Sequence, residues 1–200
     1  MMSSPVFSQL PEGRSKEIVE AATGVFARYG FARVTMADLA KAVGISRTAL
    51  YPLFANKAEV FDAVVRNHAA GFVIAVRSGL AAHASLETKL RFACEHLIVP
   101  GFEFVQAMPD ARDLFDLDVP AVRDVYAAIH AVLVEIIEPY TDGRGVDVET
   151  LVRATTASLR SFKEIAADTA DLRQLIGVQV SLIVSRLEQG IDRRGAVAKE

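Results

Sequence analysis

One cysteine in 200 residues, Cys94, excludes an internal disulfide framework and any cysteine-built zinc site. It suits a reducing cytoplasm. The four histidines, His68, His83, His96 and His130, form no HExxH pattern. Cys94 and His96, two residues apart, leave a helix on different faces, so no metal site is expected. Long apolar runs are missing too. The most apolar stretch, Ala127–Ile137, is about half a membrane span and contains His130 and Glu135. Met1–Gly13 carries Pro5, Pro11 and Gly13 and has no apolar run of signal-peptide length. Gly143 and Gly145 follow a helix rather than a strand, which removes a dinucleotide fingerprint. No nucleophile, base and orienter set stands out, and there is no phosphate loop. The expectation is a soluble, cytoplasmic protein that is not an enzyme and takes no cofactor.

What is present supports a folded protein. A hydrophobic fraction of 52% is enough for a real core, and 24% charged residues rule out disorder as the overall state. Net charge is −3, but it is unevenly spread. Residues 1–60 hold seven Lys/Arg against five acids, and the other 140 hold fifteen against twenty. A mildly basic N-terminal part precedes an acidic body. Distribution matters more than the sum for nucleic-acid binding.

The apolar periodicity is helical from end to end, with no convincing β alternation and no repeat. Arg14–Tyr29 carries Ile18, Val19, Ala22, Val25 and Phe26 on one stripe, and Gly30 is a natural stop. A long helix starts near Lys57. Further helices are expected over about 86–99, irregularly over 101–117, and over 121–138, punctuated by Pro100, Pro109 and Pro120. Two more, about 147–167 and 170–189, close the chain after a loop at 141–145. The fold class is all-α, of about nine helices: a flexible arm (1–13), a three-helix domain (14–60) and a larger helical domain (61–200).

Three helix starts crowd into some twenty residues. Thr35 with Asp38, and Asn56 with Glu59, have the form of capping boxes, and Ser46 caps a third start. With Met36–Val43 as one helix, Gly44-Ile45 is a tight turn and Ser46 opens the next. Gly44 supplies the positive φ of that turn, and Ala40 permits close helix approach. Leu39, Val43, Ile45 and Leu50 fill the space between. This is helix-turn-helix geometry, whose second helix enters the major groove. Its exposed face presents Arg47, Thr48 and Ala49. Arginine reads guanine bidentately, while threonine and alanine contact a thymine methyl. Ser46, Thr35 and Lys57 lie at helix starts suited to phosphate. Tyr51 either contacts phosphate or packs against Lys57 or the first helix. Arg33 and Lys41 read as solvated charges.

The stretch VTMADLAKAVGISRTALYPLFANKAE, Val34–Glu59, resembles the DNA-binding signature of the tetracycline-repressor (TetR) family, and the preceding FARYGF is similar to the end of that family's first helix. The resemblance covers residues 14–65. It implies a dimer that binds a double-stranded DNA operator and releases it when a small molecule enters the second domain. Two positions depart from the pattern. Leu53 stands where a histidine or tyrosine often touches phosphate, and Pro52 lacks the N–H that would bond Thr48, so the second helix should end near Tyr51.

A pocket for the effector is expected among Phe92, His96, Phe104, Met108, Phe115, Tyr126, His130 and Phe162, although core packing uses the same residue types. Asp110, Asp113, Asp116 and Asp118 read as solvated loop charge. The last helix is apolar around most of its circumference, which burial against a second copy would resolve. Leu151, Thr155, Ser158, Leu159, Leu172, Ile176, Gln179, Ile183 and Leu187 are the expected homodimer residues. The leading expectation is a repressor released by a small effector. The alternatives are a regulator with a vestigial pocket controlled by a protein partner, and an activator.

Overall fold

The computed structural model describes residues 11–107 and 120–197. Met108, Phe115, the four aspartates of 110–118 and most of the N-terminal arm lie outside the described residues. The chain forms α1 (Gly13–Arg33), α2 (Met36–Val43), α3 (Arg47–Leu50), α4 (Lys57–Gly79), α5 (Leu86–Leu97), α6 (Val99–Ala107), α7 (Pro120–Ile137), α8 (Val148–Ile165) and α9 (Thr169–Val197), with 3-10 turns at Leu80–Ala82 and Glu138–Tyr140. There are no strands among the described residues. None of these helices is long and apolar enough to cross a membrane. The chain divides into two compact units. The first, the head, takes the described residues up to Phe72 and those between Glu103 and Ala128. The second, the body, takes Val73–Phe102 and the residues from Ile129 onward.

The head core grows from the stripe on α1. Ile18, Val19, Ala22 and Phe26 are fully buried with Leu39, Leu50, Val60 and Phe61. Phe26 and Phe31 both meet Phe61, with ring centroids 5.0 and 4.8 Å away. Edge-on and tilted aromatic contacts of this kind add about 0.5–1.5 kcal/mol beyond the area they bury. Gly30 adopts φ 70°, which breaks the regular helix where the sequence expects a stop, yet a last turn continues to Arg33. Not foreseen from sequence is the contribution of α7. Its Ala121 and Val122 are buried in this same core, Val125 and Tyr126 pack against it, and Asp124 pairs with Arg66 of α4 at 2.5 Å.

In the body, α5 and α8 pack on α9. Leu172, Ile176, Val180, Ile183 and Leu187 recur every three or four residues and form one buried face of α9. Phe92 of α5 lies so close to Gly79 at the end of α4 that a Cβ there would fall 2.3 Å from the ring. Only glycine admits that approach. Cross-links at the rim include Arg77 to Glu135 and a bidentate Arg173 to Glu95. Cys94 is buried, and burial pushes its thiol up to about 12, so it stays protonated and inert.

Candidate nucleic-acid interface

The head's surface is organised by three helix starts with tied ends. At α2, Thr35 Oγ1 accepts from the Asp38 N–H (3.3 Å), and Asp38 Oδ2 accepts from both the Thr35 N–H (2.9 Å) and its hydroxyl (2.6 Å). Those bonds, the Thr35 hydroxyl first, hold the Asp38 carboxyl below its ordinary value. At the other end Gly44 sits at φ 75°, ψ 30°, its N–H donating to Lys41 O while Ile45 N–H reaches Ala40 O at 3.0 Å. This paired closure satisfies two helix-end carbonyls and reverses the chain within two residues. Leu39 and Ala40 face inward on one side of the turn and Leu50 on the other, with Val43 and Ile45 packed against them. The angle between α2 and α3 is therefore fixed by apolar burial as well as by backbone bonds.

Beyond the turn, Ser46 Oγ accepts from the Ala49 N–H and shares a 2.8 Å hydrogen bond with Thr48 Oγ1. The helix it opens is short, Arg47–Leu50, capped by Tyr51, whose N–H still reaches Arg47 O. Pro52 follows, and Leu53 and Phe54 turn back onto the Leu50 carbonyl. Ser46, Arg47, Thr48, Ala49 and Tyr51 are all exposed on this one surface, while Leu50 alone of the helix is buried. The Arg47 guanidinium lies against the Tyr51 ring at 5.9 Å and donates to its hydroxyl at 3.2 Å. Tyr51 thus braces Arg47 rather than packing on Lys57 or α1. Leu53 is 41% exposed and offers no polar atom of its own to a phosphate.

Lys57 is placed otherwise than its position at a helix start suggests. Its ammonium donates to the carbonyls of Phe31 (2.8 Å), Ala32 (3.2 Å) and Val34 (3.1 Å), with the Phe31 ring 4.5 Å away. These are orphan carbonyls at the end of α1, and a cation there is held by charge-assisted bonds and the helix dipole. Lys57 ties the first helix to the fourth. The second capping box is also modified: Asn56 Oδ1 accepts from the Glu59 N–H, while the Glu59 carboxylate accepts from the Ala55 N–H and the Asn56 side-chain amide.

Residues 18–64, the three head helices and the first turns of α4, match the family described as bacterial regulatory proteins, tetR family. The head therefore carries the DNA-binding domain of a tetR-family transcriptional regulator. The chain is similar along nearly all of its length to YezE, an uncharacterized HTH-type transcriptional regulator of Bacillus subtilis: 27% identity over 194 residues, covering 86% of this chain and 98% of that one. FasR, an HTH-type transcriptional activator of Mycolicibacterium smegmatis, is 30% identical over 100 residues, half of this chain and 44% of its own. Among solved structures the fold is like that of FadR from Bacillus subtilis, a transcriptional regulator in complex with stearoyl-CoA, with a TM-score of 0.66 at 17% identity over 85% of this chain and 97% of that one.

The described residues expected to line an effector pocket divide between the two units. Phe104 and Tyr126 belong to the head unit, whereas Phe92, His96, His130 and Phe162 belong to the body. Phe92 and His96 do meet: the Phe92 ring stacks on His83 with centroids 4.4 Å apart and lies tilted against His96 at 4.2 Å, and His96 Nδ1 is 2.8 Å from the Phe92 carbonyl oxygen. His130 pairs with Glu149 at 2.9 Å. Among the described residues no three His, Cys, Asp or Glu side chains are grouped to hold a metal ion. The C-terminal set needs a correction. Leu159, Leu172, Ile176, Ile183 and Leu187 are only 0–5% exposed within a single chain, so they are covered before any second copy arrives. Thr155 is buried too, its hydroxyl donating to Leu151 O and accepting weakly from Gln179 of α9 at 3.5 Å. Leu151, Ser158 and Gln179 stay part-exposed. The apolar side chains that point outward are Ile165, Val178 and Leu182, each 61–63% exposed.

Proposed function

We propose that the protein is a dimeric repressor that binds a palindromic operator through the α2–α3 unit and is released by a small-molecule effector. The observation that carries this reading is the exposed surface of Ser46, Arg47, Thr48, Ala49 and Tyr51, mounted on a turn whose ends are all hydrogen-bonded. Arg47 reads a guanine edge, Thr48 and Ala49 meet a thymine methyl, and Ser46, Thr35 and Tyr51 hold phosphates. Lys57 serves by fixing the end of α1 behind them. Residues 14–60 are the DNA-binding domain and residues 61–200 carry dimerisation and effector binding. The cytoplasm, where the chromosome lies, is its place.

A palindrome needs two reading helices about 34–36 Å apart, which implies a second copy. The outward faces of α8 and α9 support this: Val178 and Leu182 are exposed beside Ser181 and Ser185, and Ile165 beside Ala154, Ala157 and Ser161. Small side chains flanking apolar ones let paired helices approach closely. The FadR neighbour's stearoyl-CoA makes acyl-CoA thioesters the first effector class to screen. The similarity to FasR, an activator, favours a second reading in which the bound protein raises transcription instead.

Selection of duplexes from a random pool by the purified protein tests the proposal. Recovery of a two-fold symmetric site, with affinity falling steeply as salt rises, is the expected outcome. Recovery of no enriched sequence removes it. A reporter fused to the recovered site, with and without the protein, then separates repressor from activator.

A further inference from the structure

An open groove of about 650 Å³ runs between α1 and α2 in the head, and its lining takes no residue of α3. Its floor is Ala21, Gly24, Val25 and Val34. Gly24 lies on the surface of α1 with nothing within 4 Å of where a Cβ would stand, so the groove is open there. Arg28 and Lys41, both exposed, face it from the two walls, and Tyr29 is half exposed at its edge. Asp38 also lines it, but its carboxylate is already taken up in the α2 capping box, and Arg33 donates to the Tyr29 carbonyl. The groove is positive by three cations to one acid.

We propose that this groove docks an acidic, amphipathic peptide segment of a partner protein while the head holds DNA. A duplex backbone is a line of phosphates and gains nothing from an apolar trough of Ala, Gly and Val. A segment with leucines or phenylalanines on one side and carboxylates flanking them uses both parts: apolar anchors in the trough, acids on Arg28 and Lys41. The groove walls are α1 and α2 while the reading surface is α3, so a peptide seated over Gly24, Arg28 and Lys41 leaves Ser46–Tyr51 uncovered and stops short of Thr35 at the start of α2. Such a contact would let the DNA-bound regulator recruit or block a second protein.

The probe is a fluorescein-labelled dodecapeptide of Asp, Glu and Leu, with leucines every three or four residues, titrated by polarisation against the full chain. The controls are its scrambled sequence and its lysine counterpart. Gly24→Leu fills the groove while favouring the helix that carries it, so this variant keeps its fold. Arg28→Glu with Lys41→Glu reverses the rim. The expected result is saturable binding of the acidic peptide alone, weakened at least about tenfold in both variants, with the affinity and salt slope for duplex DNA unchanged by Gly24→Leu. No saturable binding, or equal binding by the parent and Gly24→Leu, overturns the proposal. A fall in DNA affinity with a shallower salt slope in the charge-reversed variant, and no peptide effect, assigns the groove to phosphate instead. Loss of DNA binding by the parent itself would strike the proposed function and leave the peptide result to be read separately.

Discussion

The head and the body of this chain are both helical and both well packed, yet they advertise their purposes very differently. In the head, function is written in local backbone chemistry: Thr35 and Asp38, Gly44, Ser46 and Arg47 lie within thirteen residues and lock one another. In the body no such local signature exists among the described residues: Phe92 meets the rings of His83 and His96 and lies over Gly79, contacts that a packed core and a pocket wall share. The contrast follows from the ligands. Seating a helix in a major groove of nearly constant width constrains the turn that presents it, whereas a small effector sets no common backbone requirement.

Core disruption separates the two faces of α9 with the largest effect. Ile183→Asp places a charge in a side-chain environment that is 2% exposed and should unfold the body or cost more than about 3 kcal/mol. Leu182→Asp, on the outward face, should leave the melting of the subunit nearly unchanged and instead shift sedimentation from dimer toward monomer. If Leu182→Asp stays fully dimeric, the α8–α9 surface is not where copies meet.

Next in size is Lys57→Met. It leaves the Phe31, Ala32 and Val34 carbonyls without their cation and should destabilise the head by about 2 kcal/mol. Thermal melts at matched salt would register it. A variant that melts like the parent but loses one unit of salt slope would return Lys57 to the phosphate contacts. Gly44→Ala should cost about 1 kcal/mol, because a Cβ at φ 75° is strained even where space is open. Chemical denaturation should find that loss, and an unchanged midpoint would mean that the α2–α3 turn relaxes.

The smallest effect concerns acid. Asp38 has its folded-state pKa lowered by Thr35, so its contribution is present above the ordinary carboxylate value near 3.8 and fades as pH falls through the lower, folded value. Asp38→Asn should therefore lower stability slightly at neutral pH, with the deficit against the parent closing as pH falls through the folded value; chemical denaturation across about pH 2–7 would show a flatter acid limb.

Element positions were largely legible, because caps and glycines mark them: Thr35 and Ser46 stand at boundaries the structure uses, and Gly30 at the kink one turn before α1 ends. The short second helix was legible from Pro52. What sequence could not supply was partnership at a distance. Nothing local in Lys57 announces that its ammonium will cross to α1, and nothing in Ala121 or Val122 announces that the first half of α7 joins the head core. In α9 the apolar residues surround the helix, so periodicity alone could not divide those covered by the same chain from those left outward. The division is made by α5 and α8, which pack on one side only of Leu172–Leu187.

The central claim is that the head reads DNA bases through Arg47. Its most direct test is an affinity titration of the parent and Arg47→Ala against the selected duplex and every single-base variant of it, at fixed salt. The expected result is a loss of about 1–3 kcal/mol on the selected site and a relaxed preference at one position in each half-site. An equal loss on every duplex would make Arg47 a phosphate ligand, and no loss at all would remove it from the DNA surface.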